Sequence, residues 1–525
     1  MWWPLTLRAA FPRCSRPWAR SIRNSSMTQA APPIDWTARA RALRLPNHAL
    51  IDGAPASAGD GATFDCVSPI DGRVLTRVAA CGAADVDRAV AAGRAAFEDR
   101  RWCGLSPAAR KKILLAFAER IEAHRDELAL LETLDMGKPI ADSLAVDVPA
   151  TARCLRWYAE ALDKVYGEVA PTGDDVLATI TREPLGVVGV VVPWNFPMIM
   201  AAWKIAPALA AGNSVVLKPA EQSPLTAIRL GELALEAGLP AGVLNVVPGL
   251  GPVTGRAIGL HPDIDGAFFT GSTAVGKLFL SYSSQSNMKR LGLECGGKSA
   301  HIVLASCKNT TAAAQAAASA IFFNQGEMCT AGSRLIVERA IADEVIEKVV
   351  AEAAFWRPGP PLDPATRMGA LVDAEQTERV LGYIALGQDE GARLATGGSR
   401  AMAESGGCYV EPTIFTGVAP TMRIAREEIF GPVLSVITVE SADEAVRVAN
   451  DSDYGLAAAV WSDDVTTLHR VAKRLRAGMV YANCYDADDI TVPFGGFKQS
   501  GIGRDKSLHA IDKYTELKTT WLRLG

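Results

Sequence analysis

Short runs of apolar residues alternate with helical stretches through the middle of the chain, and this alternation constrains the fold more than any other feature. Residues 186–192 form a valine-rich run without a polar side chain, which indicates a strand buried on both faces and therefore a parallel one. Strands that alternate with helices predict a doubly wound parallel sheet. The further predicted strands are 214–217, 243–247 and 267–269, with helices at 198–211, 225–237 and from about residue 252.

A second alternating set extends from residue 299 to about residue 480 and predicts a second α/β domain. Its strands are predicted at 299–304, 334–337 and 434–437, with helices at 310–323 and 342–355. Helical spacing is also predicted at 83–132, with a distinct run at 113–131, and again at 149–165. The last segment, 515–524, alternates and has no later partner in the chain. It is expected to join a sheet elsewhere, in this subunit or another.

The composition is that of a globular protein with two or three domains. Of 525 residues, 49% are hydrophobic and 21% charged, which is ordinary for such a chain. The net charge of -4 and the lack of basic blocks argue against a nucleic-acid partner. No unbroken apolar stretch has the length of a membrane span, so no membrane partner is expected.

The cysteines and histidines argue against a metal site and for a reducing compartment. The ten cysteines are scattered without a C-x-x-C pair, and there are only six histidines, so structural zinc is not expected. A disulfide framework is unusual in a chain of this size. We therefore predict a cytoplasmic protein without a metal.

The first 26 residues differ from the rest in composition. They carry five arginines and several serines, and no acid occurs before Asp35. This resembles a mitochondrial presequence, which would place the protein in the matrix. The alternative is an unselected upstream start, with Met27 as the first residue. Both interpretations leave residues 1–34 outside the predicted fold.

Cys329 and Glu294 are the candidate catalytic pair. Each lies in a segment of small residues, 322–332 and 294–299, where a substrate can approach the backbone closely. A thiol needs a base to become a nucleophile, and a covalent intermediate needs a base to release it with water. Taken singly, Cys329 would be a small buried hydrophobe and Glu294 a surface carboxylate.

Three segments after predicted strands are candidates for a dinucleotide site. Lys218 and Glu221 end one strand, where they could hold ribose hydroxyls; Glu221 would repel a 2′-phosphate, which favours NAD over NADP. Their alternative role is an exposed ion pair. The second candidate is a glycine-rich turn that contains Gly251 and Gly255, which is otherwise a plain turn.

The third candidate segment, 268–277, runs from a strand into a helix. The first turn of such a helix directs free N–H groups at a pyrophosphate. Ser272 or Thr273 is equally suited to cap the helix. The small residues of this segment are Gly271, Ser272, Thr273 and Gly276.

These motifs, in this order, resemble the aldehyde dehydrogenase superfamily over about residues 35 to 525. The matching runs are Pro193-Trp194-Asn195-Phe196-Pro197, Leu217-Lys218-Pro219-Ala220-Glu221, Phe269-Thr270-Gly271-Ser272-Thr273, Glu294-Cys295-Gly296-Gly297-Lys298, residues 323–329, Glu427-Glu428-Ile429-Phe430-Gly431 and residues 493–501. The resemblance implies a Rossmann-like cofactor domain, a second α/β catalytic domain and a small β oligomerisation element. It also implies NAD as cofactor and a small aldehyde as substrate.

The resemblance also implies roles for individual residues. Cys329 is the nucleophile, Asn195 and the Cys329 backbone N–H hold the oxyanion, and Glu294 activates water. Lys204 matches a lysine near the oxyanion network. The residues implied to hold the cofactor are Trp194, Lys218, Glu221, Gly251, Gly255, Gly271, Ser272, Thr273, Gly276, Glu428 and Phe430.

The residues implied to line the substrate tunnel indicate a narrower group of aldehyde dehydrogenases. Phe196, Trp203 and Phe494 match aromatic tunnel residues, but Asp488 stands where enzymes of simple aldehydes often carry phenylalanine. Its carboxylate would attract a cationic aldehyde, or it simply faces water as a loop residue. Met328 and Thr330 flank the nucleophile and are predicted to shape the pocket.

Residues 488–494 and the C-terminal run 503–521 resemble the bacterial γ-glutamyl-γ-aminobutyraldehyde dehydrogenases. The expected substrate is therefore an ω-aminoaldehyde. A general aliphatic or aromatic aldehyde remains an alternative. A CoA-acylating semialdehyde dehydrogenase is a further alternative, and Glu294 argues against it because that reaction needs no hydrolytic base. A catalytically silent protein on the same scaffold is the last alternative, and the intact Cys329, Glu294 and Asn195 argue against it.

The resemblance divides residues 35–525 into three parts and implies a homotetramer or homodimer. Residues 35–161 and 185–296 would bind NAD, and 297–499 would form the catalytic domain. Residues 162–184 and 500–525 would form the oligomerisation element.

Overall fold

A layer of helices and short strands precedes the first large sheet. The computed structural model describes residues 34–524; the predicted presequence or upstream start lies outside them. The elements are α1 (Trp36–Arg41), β1 (Ala49–Ile51), β2 (Ala54–Ala56), β3 (Thr63–Val67), β4 (Val74–Ala79), α2 (Ala83–Glu98), α3 (Pro107–Ala123), α4 (Arg125–Met136), α5 (Ile140–Asp142) and α6 (Val148–Ala161).

The long helical stretch predicted at 83–132 is interrupted twice. Ser106 caps α3 by accepting a hydrogen bond from the Ala109 N–H at 3.3 Å, and Pro107 occupies the first turn, where its missing N–H is no loss. His124 leaves the helical region at φ -100° and ψ 24°. The predicted run 113–131 is therefore wrong as a single helix, because it crosses this break between α3 and α4.

The first large sheet confirms the doubly wound arrangement. Five of its strands are parallel, in the order β9-β8-β7-β10-β11, and the antiparallel β1-β2 pair and β23 flank them. The elements of this part are β5 (Glu168–Ala170), β6 (Val176–Pro184), β7 (Val187–Val191), α7 (Pro197–Ala211), β8 (Ser214–Lys218), α8 (Leu225–Glu236), β9 (Leu244–Val246), α9 (Arg256–Leu260), β10 (Gly266–Thr270), α10 (Thr273–Gln285) and β11 (Arg290–Glu294).

The second large sheet has the order β14-β17-β18-β13-β12-β20-β21, and all neighbours except β14 and β17 are parallel. Its elements are β12 (Ala300–Val303), α11 (Thr310–Phe322), β13 (Arg334–Glu338), α12 (Ala342–Ala353), α13 (Ala374–Asp389), β14 (Arg393–Thr396), β15 (Arg400–Ala401), β16 (Tyr409–Val410), β17 (Thr413–Thr416), α14 (Arg423–Arg426), β18 (Val433–Val439), α15 (Ala442–Asn450), β19 (Tyr454–Gly455), β20 (Ala457–Trp461), α16 (Val465–Arg474) and β21 (Met479–Ala482).

The C-terminal segment returns to the first half of the chain. It contains β22 (Phe497–Lys498), β23 (Gly501–Ile502), α17 (His509–Asp512) and β24 (Thr515–Arg523). β24 pairs along its whole length with β6, and β5 completes a three-stranded sheet. The alternating C-terminal strand thus finds its partner within the same subunit, and β23 belongs to the first large sheet rather than to this one.

Apolar side chains fill both faces of the two large sheets. This burial on both faces explains why the strands are continuous apolar runs rather than alternating ones. Within residues 34–524, no helix combines the length and the apolar character that a bilayer crossing requires.

Candidate active site

The carboxyl ends of the parallel strands of the first sheet lie side by side. The loop after β7 is joined to β8 where the Val192 N–H donates to the Lys218 carbonyl at 3.1 Å, and the loop after β10 is joined to β11 where the Gly271 N–H donates to the Glu294 carbonyl at 3.1 Å. Ligands of open α/β sheets bind at this edge. The motifs that follow β7, β8, β10 and β11 therefore converge on one region.

A cavity of about 470 Å³ opens at this edge and contains the predicted ribose-binding pair. The Lys218 ammonium donates to Glu221 Oε2 at 3.1 Å and to the Pro219 carbonyl at 2.8 Å, and Glu221 Oε1 accepts from the Gly251 N–H at 3.1 Å. Burial would raise the pKa of Glu221, but Lys218 and the Gly251 N–H outweigh it and hold the pKa below its usual value. Glu221 is therefore ionised, as a group that repels phosphate must be. Gly255 also lines this cavity.

Only part of the third predicted nucleotide-binding segment, at the start of α10, lines the cavity. Gly271 and Ser272 line the cavity, and Ser272 also caps the helix by accepting from the Val275 N–H at 3.3 Å. Thr273 instead donates to the Gln499 carbonyl at 3.2 Å. Gly276 faces Cys295, whose Sγ would lie 2.7 Å from a Cβ at that glycine. Thr273 and Gly276 thus lie outside the cavity wall.

A second cavity, of about 200 Å³, contains the candidate nucleophile. It is continuous with the first, because five residues line both. These are Pro193, Trp194, Thr270, Gly271 and Ser272. Its wall also contains the predicted catalytic and nicotinamide-binding residues Cys329, Asn195, Phe196, Glu428 and Phe430. The buried Thr270 hydroxyl has no hydrogen-bond partner among residues 34–524. An unpaired polar atom in a residue that lines both cavities fits a site built for a polar ligand.

Cys329 is positioned by a strained turn at the end of α11. Asn324 and Gln325 adopt positive φ angles of 49° and 59°, and a Cβ on Gly326 would lie 2.3 Å from the Gly431 carbonyl oxygen. The Glu327 carbonyl accepts hydrogen bonds from the side-chain amides of Asn195, at 2.8 Å, and Asn324, at 3.2 Å. Strain of this kind persists only where the surroundings hold it in place. The loop before the thiol is therefore rigid.

The Asn195 amide can still serve the cavity. Its Nδ2 carries two N–H donors, and only one acceptor, the Glu327 carbonyl, engages it. Asn195 is buried and lines the cavity together with Cys329. The second N–H is free to serve as the oxyanion donor that the sequence predicts.

The surroundings of the Cys329 thiol disfavour its ionisation. Burial is the main cause that raises its pKa, and the charges of Glu428, Asp486 and Glu294 add to it. A thiol with a raised pKa is a poor nucleophile until a positive charge or a base assists it. The electrostatics therefore predict that the reactive thiolate forms only once a cation or a base is near the sulfur.

Glu294 ends β11 beside the cavity, but its carboxyl group points toward the interior. Burial and the neighbouring charge of Asp505 raise its pKa far above the usual value, against the opposing charges of Lys513, Lys204 and Arg504. Neither carboxyl oxygen has a hydrogen-bond partner among the described residues. A Cβ at Gly495 would lie 2.7 Å from Oε1. Glu294 is therefore a free carboxyl group with a strongly raised pKa that must rotate to reach the cavity.

A buried ionic cluster next to Glu294 was not anticipated from the sequence. Lys204, predicted as a catalytic residue, donates to Asp505 Oδ2 at 2.7 Å, and Lys513 forms an ion pair with Asp505 Oδ1. Lys204 and Asp505 are fully buried. A lysine in an apolar helix such as α7 requires a buried anion. The sequence therefore indicated that Lys204 needs a buried carboxylate as partner, although it did not indicate that the partner is Asp505.

Glu428 and Phe430 lie at the junction of the two cavities. Glu428 Oε1 accepts from the Gly297 N–H at 2.8 Å, and burial raises its pKa to about 7. Phe430 makes an edge-to-face contact with Trp194, with ring centroids 5.2 Å apart. The predicted cofactor residues Trp194, Glu428 and Phe430 thus surround one space.

The predicted substrate residues divide between two places. Phe196 lines the Cys329 cavity. Trp203 contacts Phe494 with tilted rings, whose centroids are 5.0 Å apart, and lines a separate cavity of about 210 Å³ together with Asp488. Asp488 forms an ion pair with Lys506. Its charge is therefore partly neutralised, which weakens the simple attraction that the sequence suggested for a cationic aldehyde.

The two residues that flank the nucleophile do not line either of these cavities. Met328 packs in the core of the second half. Thr330 donates to Asp486 Oδ1 at 3.1 Å, and its carbonyl accepts from the Tyr485 hydroxyl at 2.6 Å. Both residues shape the site through the backbone of Cys329 and the loop 485–488. Among the described residues, no group of three or more histidines, cysteines or carboxylates is arranged to hold a metal ion.

The chain belongs to the aldehyde dehydrogenase family, whose sequence model matches residues 56–520. It is 52% identical to the NADP/NAD-dependent aldehyde dehydrogenase PuuC of Escherichia coli K12, covering 93% of this chain and 98% of the relative.

Two solved structures have the same fold. The γ-glutamyl-γ-aminobutyraldehyde dehydrogenase of Burkholderia cenocepacia is 62% identical, with a TM-score of 0.92 over 94% of this chain and 99% of the other. The indole-3-acetaldehyde dehydrogenase of P. syringae, solved with NAD+, is 58% identical, with a TM-score of 0.93 over 93% and 99% of the two chains.

Proposed function

We propose that the protein oxidises an ω-aminoaldehyde, such as γ-glutamyl-γ-aminobutyraldehyde, to the carboxylic acid with NAD as the oxidant. The observation that carries this proposal is the shared space of Cys329, Asn195 and Glu428, which is continuous with the cavity of Lys218 and Glu221. The names of the relatives from E. coli and B. cenocepacia support the substrate class.

The cofactor fits the first cavity by its chemistry. Glu221 is an ionised carboxylate suited to accept hydrogen bonds from two ribose hydroxyls, and it would repel a 2′-phosphate. Gly271 and Ser272 lie at the start of α10, where free backbone N–H groups can bind a pyrophosphate. Glu428 and Phe430 would hold the ribose and ring at the other end. Bound NAD+ supplies the hydride acceptor.

The chain's own residues then divide the reaction into two steps. The Cys329 thiol releases its proton to solvent and its sulfur adds to the aldehyde carbon. The resulting oxyanion accepts hydrogen bonds from the Asn195 amide and the Cys329 backbone N–H. Loss of hydride from this thiohemiacetal leaves a thioester on Cys329. Glu294, ionised and rotated into the cavity, removes a proton from water as the water attacks the thioester. The acid leaves, and Glu294 returns its proton to the Cys329 sulfur.

The remaining assignments are proposals of the same kind. We assign NAD binding to 35–161 and 185–296, catalysis to 297–499, and oligomer formation to 162–184 and 500–525. The edge strand β24 exposes Leu517 and Trp521, which supports a homotetramer or homodimer built through this edge. Sedimentation velocity measures that state. Cytoplasmic localisation stays a prediction.

A second candidate substrate is an aromatic aldehyde. The aromatic residues Phe196, Trp203 and Phe494 favour it, as does the 58% identity to the indole-3-acetaldehyde dehydrogenase. A rate comparison with NAD across γ-glutamylated, free-amino, aliphatic and indolic aldehydes separates the candidates. We expect the highest kcat/KM for the γ-glutamylated aldehyde. A higher value for the indolic aldehyde would contradict the proposal.

The test of the reaction itself is Cys329→Ala, with Cys103→Ala as control. Cys103 is also half-buried but lies away from both cavities. We expect Cys329→Ala to abolish NADH formation while NAD binding remains, and Cys103→Ala to retain activity. Turnover of the Cys329 variant near the wild-type rate would contradict the assignment.

A further inference from the structure

The cavity that contains Asp488 is separate from the nucleophile but lies along the same face of α7. Its lining residues are Ala145, Val146, Pro149, Ala150, Arg153, Ile199 and Trp203 of α7, Asp488 and Ile490. Phe196 and Met200 line the Cys329 cavity. In α7, Met200 follows Ile199 and precedes Trp203 by three residues, so both cavities contact the same part of this helix. Phe196 is the residue immediately before the helix.

This cavity presents one cation and one anion, each with unused hydrogen-bonding capacity. Arg153 lines it, and no residue of the range 34–524 forms an ion pair or hydrogen bond with its guanidinium. Asp488 accepts from the Lys506 ammonium on Oδ1, and no described donor reaches Oδ2. The Asp488 side chain is 43% exposed. Both groups are therefore accessible to a ligand.

The neighbouring charges leave this arrangement intact. Asp489, the next carboxylate of the loop, accepts from the N–H and hydroxyl of Thr491 on Oδ1 at 2.9 and 2.6 Å. These bonds lower its pKa, and the charges of Arg153 and Lys506 add to the effect, but Asp489 does not line the cavity. Lys506 is buried and lies over the rings of Trp203 and Phe494, at 5.3 and 5.8 Å. It is thus held beneath Asp488, and Arg153 is the cation that the cavity offers to solvent.

We propose that this cavity binds the α-amino-acid end of a γ-glutamyl aldehyde, with Arg153 on the α-carboxylate and Asp488 on the α-ammonium group. The inference rests on the proposed aminoaldehyde function and deepens it. A guanidinium pairs with a carboxylate through two parallel hydrogen bonds, and the free Asp488 Oδ2 accepts from an ammonium. A ligand with only one of these charges leaves the other group of the cavity without a partner.

The two candidate aldehydes differ in length and in the groups at their far end. Eight bonds separate the aldehyde carbon of γ-glutamyl-γ-aminobutyraldehyde from its α-carbon, which spans about 10 Å when extended. A free γ-aminobutyraldehyde spans only four bonds to its nitrogen, about 5 Å, and it has no carboxylate for Arg153. The pair of charges in the cavity therefore favours the γ-glutamylated aldehyde over the free amine.

The test uses three aldehydes that share the amide-linked chain and differ only at its far end, together with pentanal as a short aldehyde without that chain. They are the γ-glutamyl aldehyde, its glutaryl analogue without the α-amino group, its 4-aminobutyryl analogue without the α-carboxylate, and pentanal without either. The variants are Arg153→Gln and Asp488→Asn. Arg156→Gln is the matched control, because Arg156 lies on the same helix and pairs with Glu122 away from the cavity. Retained pentanal oxidation shows that each variant is folded.

We expect Arg153→Gln to lower kcat/KM for the γ-glutamyl and glutaryl aldehydes by about five- to tenfold, through KM, because a half-exposed ion pair is lost. The 4-aminobutyryl aldehyde and pentanal should change less than about twofold. Asp488→Asn should lower the γ-glutamyl and 4-aminobutyryl values and spare the glutaryl value. Arg156→Gln should change none of them.

Two results would overturn the inference in distinguishable ways. If the wild-type enzyme oxidises the γ-glutamyl aldehyde no better than pentanal, the proposed substrate class fails and the inference fails with it. If the wild-type enzyme prefers the γ-glutamyl aldehyde but Arg153→Gln keeps the full preference, or loses activity equally on all four aldehydes, only the inference fails.

Discussion

Two buried lysines beside the cavities find their carboxylates in different ways. Lys218 meets Glu221 three residues later, at the end of the same strand. Lys204 meets Asp505, which follows it by 301 residues and comes from the C-terminal segment. The cofactor end of the site is thus assembled locally at a strand end, whereas the end that carries Glu294 depends on tertiary packing. The first pair is half-open to the cavity, and the second is sealed.

This difference predicts that changes at the sealed end act on chemistry and folding, while changes at the open end act on cofactor affinity. The largest effect is expected for Glu294→Gln. Without a base for the thioester, kcat should fall by about 100- to 10,000-fold. Rapid mixing should still show a burst of about one NADH per subunit, because hydride transfer precedes this step. An undiminished steady-state rate without a burst would contradict the role of Glu294.

Asp505→Asn should be the next largest, and it acts on stability. Burial would raise the pKa of Asp505, but Lys204 and Lys513 outweigh it and keep the group ionised. Its replacement leaves two buried lysines without an anion, which typically costs about 3–5 kcal/mol. Thermal or urea unfolding measures the loss.

Asp512→Asn is the matched control for that experiment. Asp512 pairs with Arg182 at 2.6 Å, but its side chain is 56% exposed, and such a pair contributes about 1 kcal/mol or less. Equal destabilisation by both variants would show that the sealed cluster has no special role.

The contrast between the two pairs also explains what the sequence could predict. Both α/β halves, Cys329 and the Lys218–Glu221 pair were predictable, because each depends on local patterns and contiguous motifs. Asp505 was not, because its importance arises from contact with Lys204 across the whole chain. The inward orientation of Glu294 and the partner of Asp488 depend on the packing of side chains, which spacing along the chain does not describe.

The break at His124 was missed for another reason. The residues on either side of it continue a helical pattern, and His124 itself is no helix terminator. Thr273 and Gly276 were placed in the nucleotide site from a motif, yet in the structure one bonds to Gln499 and the other gives room to Cys295. A glycine in a binding motif can be required for close packing, as Gly276 is beside Cys295, and need not contact the ligand.

Glu221→Gln tests the open end and should act on the cofactor alone. We expect KM for NAD to rise by about tenfold, since one charged hydrogen-bonding group to the ribose is lost. KM for NADP should fall or stay constant, because the repulsion of the 2′-phosphate is removed. The exposed Glu236→Gln is the control. A fall in kcat with unchanged KM would contradict the division between the two ends.

The effect expected from Glu428→Gln is on stability and depends on pH. The pKa of Glu428 is raised from 4.5 to about 7 in the folded protein, so the folded state binds more protons than the unfolded state between these values. Wild-type stability contributed by this group therefore falls as pH rises from 4.5 to 7. Glutamine does not titrate, so the variant should gain about 2–3 kcal/mol relative to wild type between pH 5 and 8. Unfolding at several pH values checks this, and a constant difference would contradict it.

The most direct test of the central claim is to locate the covalent intermediate. Glu294→Gln is mixed with NAD and the γ-glutamyl aldehyde, quenched in acid after one turnover, digested and measured by mass spectrometry. The account predicts one acyl group per subunit, attached as a thioester to the peptide that contains Cys329. A burst of NADH with the acyl group on another residue, or with no acyl group at all, would contradict it.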